Sequence, residues 1–280
     1  MEFVYHQGMP TQLSRLRPID SRQNALMKEL RKAFRTGEPT EDGYCAIESV
    51  KTIEEAIRSG LRLRAVVFSR SAQDRAERLL PQVSSHAETV LVADEVFQSL
   101  AATESPQGVA ALARIPKHDI DQVLGAESPL FAVAAGLQDP GNLGTLVRSA
   151  EAFGATAVLA TEGTVSAWNA KVIRAAAGSV FRLPVVKDAA ADLLSRLRER
   201  SIRLLATSSH KGKPLHDADL RGGVAIFIGN EGAGLAKQLA NAMDETLVIP
   251  QAEQVESLNA GVAASIVLYE AARQRRNEAK

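Results

Sequence analysis

The feature that most constrains this 280-residue chain is a regular alternation of short apolar runs with helix-patterned segments. From Tyr44 to about Pro116 the sequence offers YCAIES, VKTIEEAIRSG, LRAVVFS, AQDRAERLL, TVLVA, DEVFQSLA and GVAALARI in turn. Strand-length apolar runs separated by amphipathic stretches predict βαβ units, here a mostly parallel sheet with helices on its faces. A second series follows: FAVAAGL, TAVLA, FRLPVV, IRLLAT, VAIFIGN and LVIP. Helices are expected between these runs at about 145–153, 168–177 and 189–200, from about Leu235, and from Leu258 to about Arg273. Several of the second-series strands are apolar at consecutive positions, as strands covered on both faces must be. The expected fold class is α/β, with a three-layer C-terminal domain.

The stretch IPKHDIDQVLGAESP is polar and carries Pro116, Gly125 and Pro129, so it predicts a linker at 117–129 between a small domain at 37–116 and a larger one at 130–280. Residues 1–36 precede both. They hold Arg15, Arg17, Arg22, Lys28, Arg31, Lys32 and Arg35 against Glu2, Asp20 and Glu29, a net of +4. Ala25, Leu26, Leu30 and Ala33 recur there at helical spacing behind possible caps at Asp20 and Ser21. Arg22, Lys28 and Arg31 then lie on a basic helix face, which is either solvated surface or an RNA contact.

Composition removes several classes. Lys plus Arg equals Asp plus Glu at 33 each, so a nucleic-acid contact has to come from a local patch rather than from net charge. Apolar residues at 45% exclude an intrinsically disordered chain. The single cysteine, Cys45, cannot form an intramolecular disulfide, and the N-terminus lacks the pattern of a secretory signal; the expected compartment is the reducing cytoplasm. No apolar run approaches the roughly 20 residues that cross a bilayer.

Open parallel sheets bind ligands beyond the carboxyl ends of their strands. Four loops there stand out. Gln138-Asp139-Pro140-Gly141-Asn142-Leu143-Gly144 is expected to turn tightly into a helix whose first N–H groups are free for an anion, with Arg148 one turn inside; the alternative is a capped turn with a surface arginine. Thr207-Ser208-Ser209-His210-Lys211 is polar, but no partner for His210 as a base can be identified. Gly229-Asn230-Glu231-Gly232-Ala233-Gly234 matches neither common phosphate-loop pattern, and Glu231 suits a cation or a sugar hydroxyl better than a phosphate. In the fourth, Ile249-Pro250-Gln251 to Gly261, Ser257 resembles a helix N-cap and Asn259 sits in the first turn.

The ordered set DPGNLGTLVRSAEAFGA, FIGNEGAGL and IPQAEQVESLNAGVAASI resembles the three signature motifs of the SpoU (TrmH-type) branch of the SPOUT RNA methyltransferases. The resemblance spans Phe131 to about Gln274. SRQNALMKELRKAF, AIESVKTIEEAIRSG and TESPQGVAAL are similar to the substrate-binding domain often fused ahead of that catalytic domain, which is related to RNA-binding ribosomal proteins. The resemblance implies a C-terminal trefoil knot, an exception to the rule that chains avoid knots. It further implies a homodimer with its active site near the subunit interface, S-adenosylmethionine as methyl donor with no metal, and a 2′-O-methylated ribose as product.

By motif position, the resemblance implies cofactor contacts from the backbone of Gly229, Ile249 and Leu258, with Thr207 as an addition. It implies functional polar roles for Asn142, Arg148, Glu231, Ser257 and Asn259. Arg148 is the group usually linked to activating the hydroxyl. A guanidinium stays protonated, so clamping a phosphate and stabilising the alkoxide suit it better than taking a proton. The chain departs from the motifs in carrying Ala260 and Gly261 where Val and Ser are commoner, and Ser49 where glycine is common. Gly261 is expected to loosen packing at the helix start.

The substrate expected from the appended domain is ribosomal RNA of the 23S type, in a housekeeping or an antibiotic-resistance setting. The alternatives are tRNA, or a non-catalytic RNA-binding or ribosome-assembly protein that keeps the fold; intact Asn142, Arg148, Glu231 and Asn259 argue against the last.

Overall fold

A computed structural model describes residues 12–101 and 105–278. The first part of the basic segment and Thr103 and Glu104 of the TESPQGVAAL stretch lie outside these residues. The chain divides into two compact units, 1–115 and 116–280.

Unit one contains β1 (Arg17–Ile19), α1 (Ala25–Thr36), β2 (Tyr44–Glu48), α2 (Val50–Arg58), β3 (Leu63–Ser69), α3 (Gln73–Leu79), β4 (Glu88–Val92), α4 (Asp94–Gln98) and β5 (Val109–Arg114). Its sheet runs β1-β4-β3-β5-β2. The sheet is mostly parallel, as expected: β1, β4, β3 and β2 point the same way, and β5 alone is reversed, antiparallel to both of its neighbours β3 and β2.

The basic segment is not separate from this unit. β1 pairs with β4, and α1 buries Leu26, Met27, Leu30 and Ala33 in one core with Val67, Val90, Phe97 and Leu112. Asn24 starts α1, its side chain accepting from Leu26 N, and Gly37 closes it in the left-handed conformation.

Unit two contains α5 (Ile120–Leu124), β6 (Leu130–Ala135), α6 (Pro140–Ala152), β7 (Ala157–Ala160), α7 (Ala170–Ala175), β8 (Val185–Lys187), α8 (Ala190–Glu199), β9 (Arg203–Ser208), β10 (Lys213–Pro214), β11 (Val224–Gly229), α9 (Lys237–Asn241), β12 (Glu245–Val248) and α10 (Ala260–Glu278). All seven strands are parallel, in the order β10-β12-β9-β11-β6-β7-β8. β6 is buried at every position, as its unbroken apolar run requires. Phe131, Val133 and Phe227 share a core with Leu193 and Leu197 of α8 and Leu239 of α9, while α6 and α10 pack together and onto the sheet.

Three local expectations change. The stretch read as a linker folds α5 into this unit, because Leu124 is buried in the same core. FRLPVV yields strand only from Val185, since Phe181 lies in a 3-10 turn ahead of Pro184. Helix α6 begins at Pro140 rather than Thr145: Asp139 caps it, its side chain accepting from Asn142 N, and proline at the first helical position fits the helix start. The glycines that suggested a turn are therefore helical, and Arg148 sits two turns inside. Among the described residues no helix is long and apolar enough to cross a membrane.

Candidate active site

The carboxyl ends of β9, β11 and β12 and the start of α10 enclose a cleft of about 610 Å3. Thr207, Gly229, Glu231, Ile249, Ser257, Leu258 and Asn259 all line it. Seven residues drawn from three separated loops thus meet in one place, and that requires the parallel strand order described above.

Asn142 and Arg148 stand differently. Asn142 is buried on α6 and meets the cleft through Glu231: its Nδ2 donates to Glu231 Oε1 at 2.9 Å. Glu231 also accepts from Asp139 N at 3.2 Å and Gln138 N at 3.4 Å. Burial alone would raise the Glu231 pKa; the Asn142 amide and the backbone N–H groups outweigh it, and the carboxyl lies below its ordinary value. The expected free anion site at the start of α6 is therefore filled from within, by Glu231 and by the Asp139 cap at 2.8 Å from Asn142 N. Arg148 is exposed and lies outside the residues that line the cleft. Among the described residues its guanidinium has no hydrogen bond or ion pair.

Asn230 is a residue whose part was not legible in the sequence. Its Nδ2 donates to Gly136 O at 3.0 Å, and its Oδ1 accepts from Gly232 N and Ala233 N at 3.0 and 3.1 Å. It ties the glycine loop to the end of β6 and so holds Glu231 over the start of α6. The readable signal was an asparagine two residues ahead of a glycine, a side chain that commonly bonds backbone two residues on.

Two expectations about the last motif are overturned. Asn259, not Ser257, caps α10: its Oδ1 accepts from Gly261 N at 3.0 Å and Val262 N at 3.2 Å. Gly261 does not loosen the helix start. It is buried, and a Cβ placed there would stand 2.9 Å from Thr145 Cβ, so the missing side chain is what lets α10 close on α6.

The basic face of α1 is partly committed to its own unit. Arg31 donates to Ser99 O at 3.1 Å and Ser99 Oγ at 3.0 Å, and Arg22 donates to Glu95 O at 3.1 Å. Lys28 is exposed and has no such partner among the described residues.

The cleft fits S-adenosylmethionine on its own features. Its volume suits a ligand of that size. A Cβ at Gly229 would stand 2.4 Å from the backbone of Gly234, so the loop folds this tightly only without a side chain there. Glu231 and Glu256 give the lining a negative charge for a sulfonium, and Gln251 Oε1 is a buried acceptor with no partner among the described residues.

A parallel α/β domain with a cleft of this make-up at its strand ends defines a ligand-binding α/β protein. Residues 129–269 match the SpoU rRNA Methylase family and residues 24–111 the MRM3-like substrate binding domain, and the chain belongs to the SpoU family. It is 30% identical to the Bacillus subtilis 23S rRNA (guanosine(2553)-2'-O)-methyltransferase RlmP, over 91% of this chain and 98% of that one. It is 35% identical to the 23S rRNA (guanosine-2'-O-)-methyltransferase RlmB of Bordetella pertussis, over 82% of this chain and 91% of the relative. The crystal structure of the SpoU methyltransferase AviRb from Streptomyces viridochromogenes in complex with AdoMet superposes with a TM-score of 0.79 at 28% identity, covering 90% of this chain and 98% of that one.

Proposed function

We propose that this chain transfers the methyl group of S-adenosylmethionine to a ribose 2′-hydroxyl of 23S-type ribosomal RNA. The observation that carries this reading is the convergence of Gly229, Ile249 and Leu258 with Glu231, Ser257 and Asn259 on one cleft. Relatives named as 23S rRNA 2'-O-methyltransferases support the choice of rRNA over tRNA.

S-adenosylmethionine supplies a methyl group activated by its sulfonium, with a thioether as the leaving group. The remaining work falls to the chain. Backbone groups at Gly229, Ile249 and Leu258, with Thr207 as an addition, would hold the adenosine. Glu231, fixed by Asn142, keeps the loop closed and its negative charge beside the cleft, and Ser257 and Asn259 shape the wall on which the ribose is aligned. Arg148 holds a phosphate next to the target ribose and stabilises the forming alkoxide. The oxygen–carbon bond forms as the carbon–sulfur bond breaks, and the hydroxyl proton leaves to water or to a neighbouring phosphate.

The active form of this reading is a homodimer. Val262, Ile266 and Tyr269 are exposed apolar residues spaced along one stripe of α10, Val255 is a fourth, and Tyr269 packs edge-on against Phe153 at 5.7 Å. The Ser149 and Ser265 hydroxyls meet at 2.6 Å, so the turn of α6 that carries Arg148 packs on the turn of α10 that carries Ile266. A second copy covering this stripe brings each Arg148 toward the partner's cleft, consistent with the absence of Arg148 from the lining of its own. β12 lies outside β9, yet α10 returns to pack on α6, the kind of crossing that the knotted reading requires. On unit one, Lys28 and Arg22 offer cations to an RNA phosphate, while Arg31 is held by Ser99.

The test is transfer of labelled methyl to separate pools of rRNA and tRNA with nucleoside analysis, using Arg148→Ala, alongside sedimentation of wild type and Ile266→Asp. The reading expects a 2′-O-methylnucleoside in the rRNA pool that is lost in Arg148→Ala, and a dimer that Ile266→Asp dissociates. Cofactor binding without transfer to rRNA, free or as ribosomal particles, would favour the non-catalytic alternative.

A further inference from the structure

Helix α6 carries one carboxylate, Glu151, three residues after Arg148. Residues at that spacing are neighbours on a helix surface, and an arginine and a glutamate so placed can pair. Here they do not. Glu151 is taken by Arg182, which follows the 3-10 turn after α7: Nε donates to Glu151 Oε1 at 2.5 Å and Nη2 to Oε2 at 2.9 Å. Both carboxylate oxygens are engaged in a two-pronged geometry that an exposed lysine could not match, and the pair is only partly exposed, at 39% and 29% of the side chains. The Arg182 hydrogen bond outweighs burial and, with Ser179, keeps the Glu151 pKa below its ordinary value, so the charge persists at neutral pH.

We propose that Arg182 is a positioning residue for Arg148: by sequestering Glu151 it prevents an intrahelical pair and leaves the Arg148 guanidinium open for RNA phosphate. The inference rests on the reading of Arg148 given above. Without Arg182, Glu151 has one cation within reach on its own helix, and its charge also stands beside the approaching phosphate. Both effects act on the RNA and neither on the cofactor cleft.

The experiment compares Arg182→Ala, Arg182→Lys, Glu151→Gln, Arg182→Ala with Glu151→Gln, and Arg148→Ala in the full-length protein. Methyl transfer to 23S rRNA from cells lacking this protein is measured as kcat/KM for RNA, well below each variant's melting temperature. S-adenosylmethionine binding is measured by calorimetry. Arg182→Ala is expected to lose about fivefold in kcat/KM, the upper range for an exposed ion pair, with cofactor binding unchanged. Arg182→Lys is expected to retain most activity, because a lysine still neutralises Glu151. The double variant is expected to recover to near wild type, which a merely structural role for Arg182 does not produce. A double variant as impaired as Arg182→Ala, or an Arg182→Ala enzyme of full activity, overturns the proposal and leaves the role of Arg148 intact. Full activity in Arg148→Ala overturns the reading of Arg148 and the proposal with it.

Discussion

Asn142 and Glu231 lie 89 residues apart in sequence and meet at 2.9 Å, the amide donating to a carboxylate that also caps the backbone N–H groups ahead of α6. This contact joins the first and second motifs into one rigid element. Losing the carboxylate charge leaves the Asn142 amide and two backbone donors with a weaker acceptor.

The depressed Glu231 pKa gives an acid-side prediction. A carboxylate that is more acidic when folded contributes stability that is full above its unfolded pKa and lost as pH falls through the folded value. Glu151, Glu270 and Asp94 shift in the same direction, and Asp219 is held down to about 2 by its Arg221 hydrogen bonds. Thermal melts from pH 7 to pH 2 are expected to show stability falling below about pH 4.5. Glu231→Gln is expected to be less stable at pH 7 and to lose less on acidification; an unchanged acid dependence would count against the Asn142–Glu231 contact.

Ser49 sits at φ 86, ψ 147, a conformation that disfavours any residue with a side chain. Its hydroxyl caps α2 by accepting from Thr52 N at 3.3 Å. Relief of backbone strain of about 1 kcal/mol outweighs the few tenths lost when a serine cap becomes glycine. Ser49→Gly is expected to raise the denaturation midpoint of the small unit, measured by chemical unfolding; a lower midpoint sinks the claim of strain.

Gly261 faces Thr145 across the α6–α10 contact. Restoring the commoner serine there is expected to destabilise the larger unit by about 1–3 kcal/mol through overpacking. Calorimetric melting of Gly261→Ser checks this, and a variant as stable as wild type would show that α10 can shift without cost.

Arg31 and Lys28 share a helix face but not a role. Arg31→Ala is expected to lower stability by about 1 kcal/mol, because it removes the bonds to Ser99, while Lys28→Ala leaves stability unchanged and weakens RNA binding. Filter binding at several salt concentrations measures the second effect: loss of one phosphate contact flattens the slope of log affinity against log salt by about 0.7 to 0.9. Equal slopes for Lys28→Ala and wild type would remove α1 from the RNA contact.

The sequence alone determined the α/β class, the parallel character of the larger sheet and the loops that form the site. Those features depend on burial patterns along a few consecutive residues and on glycines, caps and polar side chains placed close together in the chain. It could not show that β5 runs antiparallel, that Asn259 rather than Ser257 starts α10, or that Gly261 is tight rather than loose. Those outcomes depend on what each segment meets in space. Glu231 was legible as a polar residue in a glycine loop, but its partner was not, because only the order of β11 beside β6 brings that loop onto the start of α6. The same holds for charge: composition balances 33 cations against 33 anions, and only tertiary contacts decide that Arg31 and Arg182 are held by the fold while Arg148 stays open.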